Sequence, residues 1–197
     1  TLAPAVGGLS PDEMARFRAL GRSDKVILKG GLAAEGLRHV SFEGLVFEGP
    51  AKLSKSVAAA FRECVFAGGE TALELDGCQD VRVDHATFGS AEFGLRVRQS
   101  ERVGLTNSLF AGEGTAVALD AASAGEFYED HNVFAGAQWK VSRSFVRDLG
   151  EWREATGFGR FSRVGPVELG PDWSLPTGSP LAFAAVDMTF AGARPAP

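Results

Sequence analysis

A short pattern of apolar and polar residues recurs five times along the middle of the chain, and each copy closes on a phenylalanine. The copies occupy residues 40–47, 59–66, 81–88, 103–110 and 127–134. Their closing phenylalanines lie 19, 22, 22 and 24 residues apart, which is a period typical of solenoid proteins. Within each copy, apolar and polar residues alternate and then break at a turn, so the pattern predicts short strands that bury one face.

The segments between the copies carry no helical pattern, and this favours an all-β fold. We predict a right-handed parallel β-helix of about five to six coils, in which equivalent residues of successive coils stack about 4.8 Å apart. The stacked phenylalanines would then form the core, because each ring buries about 150–250 Å². Removing a central ring, as in Phe88→Ala, is therefore expected to be severely destabilising.

We expect caps at both ends of the solenoid, because the first and last coils would otherwise expose their apolar interior. The chain is interpreted as one structural domain in three parts. The predicted parts are an N-terminal cap at residues 1–38, the coils at 39–141 and a C-terminal cap at 142–197.

The N-terminal cap is predicted to contain a short amphipathic helix. Ser10 and Glu13 have the spacing of a capping box, and Met14, Phe17 and Leu20 recur at helical spacing. Such a helix would lie across the open end of the first coil.

The C-terminal cap is predicted to combine a helix with proline-rich loops. Phe145, Leu149 and Trp152 fall at helical spacing, with Ser144 as the predicted N-cap and Gly157 as the predicted end. The remaining residues would wrap back over the last coil.

Three tryptophans, Trp139, Trp152 and Trp173, gather in and beside this cap. We favour the interpretation that they close the apolar end of the solenoid. The alternative is a platform on which a sugar stacks, and it makes Trp139 a substrate-binding candidate.

The repeats resemble the parallel β-helix repeat of the pectin-lyase-like superfamily, of the form Val-x-Val/Leu-x-x-x-x-Phe-x-Gly, over about half of the chain. The C-terminal region is also similar to the ending of many secreted bacterial β-helix proteins, in which a helix with Trp and Thr-Gly precedes Ser-Pro and Gly-Ala. The matching residues are Trp152, Thr156-Gly157, Ser179-Pro180 and Gly192-Ala193.

This resemblance implies a secreted or periplasmic bacterial protein, but no single activity. The superfamily includes polysaccharide lyases, glycoside hydrolases, epimerases, adhesins and phage tailspikes. No catalytic motif of the superfamily is present in full, so no catalytic residue is carried over.

Composition and charge narrow the range of partners. The chain is 45% hydrophobic and 23% charged, and no stretch reaches the roughly 20 apolar residues of a membrane helix. A net charge of -5 makes nucleic acid a poor partner, because nucleic acid is bound by clusters of Lys and Arg.

Cys64 and Cys78 are interpreted as buried thiols rather than a disulfide. The sequence begins at Thr1 rather than Met, so we expect a processed chain or a piece of a longer protein.

Outward-facing charges on the long strands are the first candidates for chemistry. Opposite charges in neighbouring coils would pair, as in an ordinary solvated sheet. The resemblance implies a second interpretation, because lyases of the superfamily use such a surface to bind calcium and to abstract a proton from a uronate. On that interpretation Asp76 and Asp120 bind Ca²⁺, the one candidate cofactor. Arg96 and Arg98 are then catalytic, and Glu74 contacts the substrate.

Two Asp-His pairs, Asp84-His85 and Asp130-His131, offer further candidates. Their histidines belong to a column that reads Gly44, Glu63, His85, Asn107 and His131. Glycine and asparagine tolerate left-handed backbone and histidine is enriched there, so the column predicts a corner between two strands. The histidines lie two coils apart, about 9.6 Å, which is too far for one zinc ion. The same separation puts Asp84 and Asp130 near the roughly 6.5–9.5 Å gap of inverting glycosidases, although Arg62 would lower the pKa of Asp84.

Glu129 breaks the apolar pattern of its column. The same position in the other coils holds Phe42, Phe61, Val83 and Leu105. We favour a bulge that turns Glu129 outward and Tyr128 inward, because this coil is longer than its neighbours. The alternative is a buried carboxylate with a raised pKa, and in that case Glu129 becomes the leading catalytic candidate.

Two functions are compatible with these observations. The preferred one is a secreted or periplasmic carbohydrate-associated module that binds or cleaves an acidic polysaccharide along a long sheet face, without membrane insertion. The alternative is a non-catalytic structural or interaction module, either part of a larger surface protein or a self-associating solenoid. A binding face needs unpaired outward charges and exposed aromatic side chains in a groove, whereas a structural module needs neither.

Overall fold

Each coil of the chain contributes one strand to each of three sheets, so the protein is an all-β parallel β-helix of about 5 turns. The computed structural model describes residues 8, 10, 13–18, 26–136, 138–186 and 189–193. This architecture confirms the solenoid that the repeat predicts.

The three sheets run the length of the solenoid. In spatial order, sheet 1 contains β1 (Ala15–Arg18), β4 (Arg38–Glu43), β7 (Val57–Arg62), β10 (Gln79–Asp84), β13 (Glu101–Thr106) and β16 (Phe127–Asp130). Sheet 2 contains β2 (Val26–Leu28), β5 (Leu45–Phe47), β8 (Val65–Phe66), β11 (Thr87–Phe88), β14 (Leu109–Phe110), β17 (Val133–Phe134) and β20 (Arg163–Val164). Sheet 3 contains β3 (Leu32–Glu35), β6 (Ala51–Ser54), β9 (Thr71–Asp76), β12 (Phe93–Arg98), β15 (Thr115–Leu119), β18 (Trp139–Val141) and β19 (Ser144–Val146). Neighbouring strands are parallel except for β18 and β19.

The register of the sheets places the closing phenylalanines of successive coils above one another. The stacked pairs are Phe47–Phe66, Phe66–Phe88, Phe88–Phe110 and Phe110–Phe134, with ring centroids 5.2, 5.0, 4.3 and 5.0 Å apart. A second column in sheet 1 stacks Phe17 on Phe42 and Phe42 on Phe61, at 5.4 and 4.9 Å. Every ring of the first column is at most 2% exposed, which confirms the predicted phenylalanine core.

The N-terminal region differs from the prediction where the structure describes it. Residues Ala15–Arg18 form β1, which runs parallel to β4 and sets Phe17 opposite Phe42. The predicted capping helix is therefore wrong over these residues and over residues 13–14, which are not helical, and residues 11–12 and 19–21 of its span lie outside the described residues. The strand is preferred because it continues a ladder of backbone hydrogen bonds and adds a ring to the aromatic column, so tertiary packing overrides the helical spacing.

Residues with left-handed backbone build the corners of the coils. The predicted corner between sheets 1 and 2 is confirmed, because φ is positive at Gly44, Glu63, His85, Asn107 and His131. Two further columns share this conformation and were not predicted. They are Gly36, Lys55, Gly77 and Gln99 after sheet 3, and His39, Ala58, Asp80 and Arg102 near the start of sheet 1. Repetition of the same backbone kink keeps successive coils in register.

Helix α1 (Leu149–Thr156) closes the C-terminal end of the solenoid. Its N-cap is Asp148, whose Oδ1 accepts a hydrogen bond from a first-turn backbone N–H at 2.9 Å. The helix ends at Gly157, where φ is 77°, as predicted. The predicted N-cap, Ser144, lies instead in the antiparallel strand β19. The helix covers the last coil with Trp152, which is 0% exposed.

Residues 165–186 and 189–193 run back along the outer face of sheet 2, and we call them the C-terminal strap. Leu181 of the strap belongs to one apolar cluster with Leu109 and Val133 of the sheet. These two sheet residues each precede a closing phenylalanine and point outward, while the phenylalanine points inward. The strap therefore gives sheet 2 an apolar layer on both faces.

Hydrogen bonds hold the end of the strap against the sheet. The backbone N–H of Gly192 donates to Asn107 O at 2.8 Å, and that of Ala193 donates to Thr87 Oγ1 at 2.8 Å. Gly192 has a φ of 91°, and a Cβ there would lie 2.6 Å from a methyl group of Leu109. Only glycine fits this close approach of strap to sheet.

The two cysteines are free and buried, as predicted. Burial raises the pKa of the Cys64 thiol to about 12, so it remains protonated and unreactive.

In the part of the chain that the structure describes, no helix is long and apolar enough to cross a membrane.

Phe88→Ala is expected to lower the free energy of unfolding by about 3–5 kcal/mol, because it opens a cavity in the middle of the stacked column. Equilibrium urea denaturation measures this loss. Phe145→Ala is the matched control, since the Phe145 ring is 50% exposed and its removal should cost no more than about 1 kcal/mol. Equal stability losses in the two variants would contradict the aromatic column as the main source of stability.

Candidate functional site

The residues predicted to act together lie on two different sheets. Arg96 and Arg98 belong to β12 of sheet 3, whereas Glu129 and Asp130 belong to β16 of sheet 1. The structure therefore does not assemble the predicted catalytic set in one place.

The outer face of sheet 3 pairs its own charges. Lys52 Nζ lies 3.1 Å from Glu74 Oε1 and 3.8 Å from Asp76 Oδ2. Arg98 pairs with the same two carboxylates from the coil on the other side. Burial alone would raise the pKa of Glu74, but Lys52 and Arg98 outweigh it and hold that pKa below its ordinary value. This face matches the ordinary ion-paired sheet rather than a substrate-binding surface.

The remaining sheet 3 candidates are also engaged within the chain. The Arg96 guanidinium stacks 3.9 Å from the centre of the Phe93 ring. Asp120 accepts hydrogen bonds from the backbone N–H of Gln99 at 2.9 Å and of Ser123 at 2.8 Å, so it caps a turn. Among the residues that the structure describes, no group of three or more His, Cys, Asp or Glu side chains converges on a point. Calcium binding by Asp76 and Asp120 stays a prediction.

Asp84 has the electrostatics of a fixed anion rather than of an acid catalyst. It accepts hydrogen bonds from Thr106 Oγ1 and Asn107 Nδ2, each at 2.8 Å, and lies 3.2 Å from His85 Nδ1. Burial favours a higher pKa for Asp84, but hydrogen bonds from these three neighbours outweigh it and lower the pKa to about 2. A glycosidase acid needs a raised pKa, so the pairing of Asp84 with Asp130 has no support from the electrostatics.

Asp130 and His131 both contact the C-terminal cap. Asp130 Oδ1 accepts the backbone N–H groups of His131 and Phe161, at 2.9 and 2.7 Å. The His131 ring stacks on the Phe161 ring at 4.9 Å. These contacts attach the residues after α1 to the last coil.

Glu129 points into the solenoid, so the favoured bulge is wrong and the buried carboxylate is correct. Its exposed fraction is 0%, while the neighbouring Tyr128 is 47% exposed on the outer face. Strand β16 pairs with β13 in continuous register, with Glu129 opposite Leu105. The extra residues of this coil form the short helix Ala124–Glu126 before the strand instead of a bulge within it.

Three side chains donate hydrogen bonds to the Glu129 carboxylate, and we call these four residues the cap anchor. Trp152 Nε1 donates to Oε1 at 2.8 Å, while Asn132 Nδ2 and Ser162 Oγ donate to Oε2, each at 2.7 Å. Burial raises the pKa of Glu129, and the three donors offset this only in part. A carboxyl group that is fully enclosed cannot touch a substrate, so the cap anchor joins the last coil to the cap.

Trp139, the predicted substrate-binding tryptophan, is also enclosed. Its ring is 0% exposed and stacks on Trp152 at 5.8 Å. The interpretation of this pair as closure of the apolar end is therefore correct, and sugar stacking on Trp139 is not compatible with its position.

An open groove of about 430 Å³ lies on the outer face of sheet 1, over its last coils. We call it the sheet 1 groove. The charged and aromatic side chains and the glycine that shape it are Asp80, Arg82, Arg102, Gly104, Glu126, Tyr128 and Phe158. Strand pairing sets three of them in one column, Arg82 beside Gly104 and Gly104 beside Tyr128.

The groove combines an aromatic corner with charged walls. Tyr128 meets Phe158 edge to face, with ring centroids 5.7 Å apart. Arg102 holds Asp80 through two hydrogen bonds, of 2.6 and 3.0 Å. Arg82 is exposed and forms no ion pair within the described part of the chain. Burial, with the charges of Asp130 and Glu129, raises the pKa of Tyr128, so its phenol stays neutral.

The groove was not predicted from the sequence, because the candidate residues were chosen mainly from the carboxylates and their charge partners. Two signals were present. Tyr128 is the one tyrosine of the chain, at a position that faces outward once Glu129 faces inward. Gly104 interrupts a strand between two apolar residues that face inward.

Comparison of the chain with family models, with curated proteins and with solved structures finds no match.

The stability of the chain relative to Glu129→Gln is expected to fall as the pH rises above about 4.5, the ordinary pKa of the unfolded carboxyl group. The folded carboxyl has a raised pKa, so the folded state keeps its proton after the unfolded state has lost it. Stability is thus highest at low pH and declines until the folded carboxyl also ionises. Urea denaturation of both proteins between about pH 4 and pH 8 measures the difference. A difference that grows with pH would show that the donors stabilise the ionised form.

Proposed function

We propose that this protein is a secreted or periplasmic module that binds an acidic polysaccharide in the sheet 1 groove. The observation that carries the proposal is an aromatic corner, in which the exposed Tyr128 meets the half-buried Phe158, beside an arginine without an ion-pair partner in the described chain. The location rests on the resemblance of the repeats and of the C-terminal ending to secreted bacterial β-helix proteins.

The aromatic corner is suited to a carbohydrate. A sugar ring presents a face of C–H groups and a rim of hydroxyl groups, so it needs an aromatic face and nearby polar groups. Tyr128 supplies an exposed ring with a neutral phenol, and the pair of Arg102 and Asp80 supplies fixed donors and acceptors. An open groove also accommodates a chain that continues at both ends.

Unpaired arginines favour an acidic chain over a neutral one. Arg82 lies in the groove, and Arg62 is exposed one coil closer to the N-terminus. Neither forms an ion pair with any residue that the structure describes. Guanidinium groups bind carboxylate and sulfate through paired hydrogen bonds, so an acidic polysaccharide can neutralise both.

Binding is preferred over cleavage because Glu129 and Asp84, the carboxylates considered for proton transfer, are unsuited to it. The pKa of Glu129 is raised, but its carboxyl group is fully buried. Asp84 is exposed in part, but its pKa is lowered to about 2. The arginines proposed for lyase chemistry, Arg96 and Arg98, lie on sheet 3.

A structural or interaction module remains the second candidate function. The self-paired charges of Lys52, Glu74 and Arg98 on sheet 3 favour it, because a face that satisfies its own charges needs no ligand.

Tyr128→Ala is expected to weaken polysaccharide binding about tenfold, since loss of a stacking ring costs roughly 1.4 kcal/mol. Affinity electrophoresis in gels that contain polygalacturonate, alginate or chondroitin sulfate measures the change, with and without Ca²⁺. Phe145→Ala is the control, because Phe145 is equally exposed but lies on sheet 3.

Absorbance at about 235 nm in the same mixtures reports unsaturated products, and we expect none. Absence of retardation of the wild-type chain in every gel would contradict the proposal and favour the structural module. Retardation that Phe145→Ala reduces as much as Tyr128→Ala does would place the binding site elsewhere.

A further inference from the structure

Gly104 occupies the centre of the sheet 1 groove without a structural reason for glycine. It lies inside strand β13, where glycine weakens a strand because it adds backbone freedom and no side-chain contacts. Its φ is not positive, so its backbone conformation is open to any residue. A Cβ at this position would meet no atom within 4 Å.

Other glycines of the same sheets do have such a reason. A Cβ on Gly94 in β12 would lie 2.8 Å from the Phe110 ring and 2.8 Å from Ala116 O, so a side chain cannot fit there. Gly104 differs, because the space above it is empty. Cross-strand packing of an aromatic ring onto a glycine is another common reason, but no atom of Tyr128 lies within 4 Å of the added Cβ.

The missing side chain leaves a notch between the outward side chains of the coil before and the coil after. Arg82 bounds the notch on the coil before and Tyr128 on the coil after. Their backbones are two strand spacings apart, about 9.6 Å. The Arg102–Asp80 pair forms one lateral wall, and Phe158 closes the side beyond Tyr128.

We propose that the Gly104 notch is the specificity-determining subsite of the groove, which seats one sugar ring that carries an anionic group. The ring lies against Tyr128 over the backbone of Gly104, and its anionic group faces Arg82. This inference deepens the proposed function and rests on it. The recognised chemistry is a carboxylate or a sulfate on a pyranose ring.

Two predictions about a ligand follow from the notch, and they can be tested separately. The space over Gly104 decides whether a ring can enter at all, whereas Arg82 decides whether an anionic ring is preferred to its neutral counterpart. A planar guanidinium binds an oxyanion with two parallel hydrogen bonds, and lysine does not reproduce this geometry.

Isothermal titration of the wild-type chain and of Gly104→Ala and Gly104→Val with polygalacturonate oligosaccharides tests the first prediction. We expect Gly104→Val to weaken binding at least tenfold and Gly104→Ala to weaken it less, while both variants keep or raise the melting temperature. Gly165→Ala is the control, because its added Cβ also meets nothing within 4 Å and it lies outside the groove.

Titration of Arg82→Gln and Arg82→Lys tests the second prediction. We expect the wild-type chain to prefer polygalacturonate to its methyl ester, and Arg82→Gln to lose that preference. Oligosaccharides of chondroitin sulfate and of desulfated chondroitin form a second pair of ligands and distinguish recognition of a sulfate from that of a uronate carboxylate.

The outcomes separate the inference from the proposed function. Binding that Tyr128→Ala abolishes but Gly104→Val leaves unchanged would overturn the notch and leave the sheet 1 groove as the binding site. Equal affinity of the wild-type chain for charged and neutral oligosaccharides would overturn the role of Arg82. Failure of the wild-type chain to bind any of these ligands would overturn both the inference and the proposed function.

Discussion

Stacking of equivalent residues in successive coils is the constraint on which the rest of the structure depends. The three inner phenylalanine rings of the sheet 2 column, Phe66, Phe88 and Phe110, each have a ring above and a ring below, with centroids 4.3 to 5.2 Å apart. A residue's place in the repeat therefore decides its face, its neighbours and its backbone conformation. The left-handed corners at Glu63, His85 and Asn107 follow from the same rule, because every coil must turn at the same point.

The three sheets use their outer faces differently. Sheet 2 is covered by the C-terminal strap. On sheet 3, Lys52 and Arg98 both form ion pairs with Glu74. Sheet 1 retains an open groove with an exposed tyrosine and an unpaired arginine within the described residues. The stacking rule also ends at a definite point, where Glu129 replaces an apolar residue and binds the cap through Trp152 and Ser162.

Several features that depend on neighbours one repeat away were predicted from the sequence alone. The phenylalanine column, the corner at His85 and the pairing of Asp76 with Arg98 follow from the period, because residues 22 positions apart become adjacent. The direction of Glu129 could not be predicted in this way, because its donors Trp152 and Ser162 are 23 and 33 residues away and belong to no repeat. The first strand was also missed, although the stacking of Phe17 on Phe42 extends the sheet 1 column.

The groove shows why charge pattern alone was an incomplete guide to the site. Charged side chains on a solenoid face stabilise their neighbours by default, so a row of alternating charges indicates structure before function. An exposed tyrosine and an unfilled glycine have no comparable structural role, and these two residues distinguish sheet 1 from sheet 3.

The central claim is that an acidic oligosaccharide binds in the sheet 1 groove, and backbone amide chemical-shift mapping by NMR tests it most directly. Titration of isotopically labelled protein with oligogalacturonate should shift the amide signals of Gly104, Tyr128 and Phe158. The signals of Glu74, Arg96 and Arg98 on sheet 3 should stay unchanged at saturation. Shifts confined to sheet 3, or no shifts at millimolar oligosaccharide, would contradict the account.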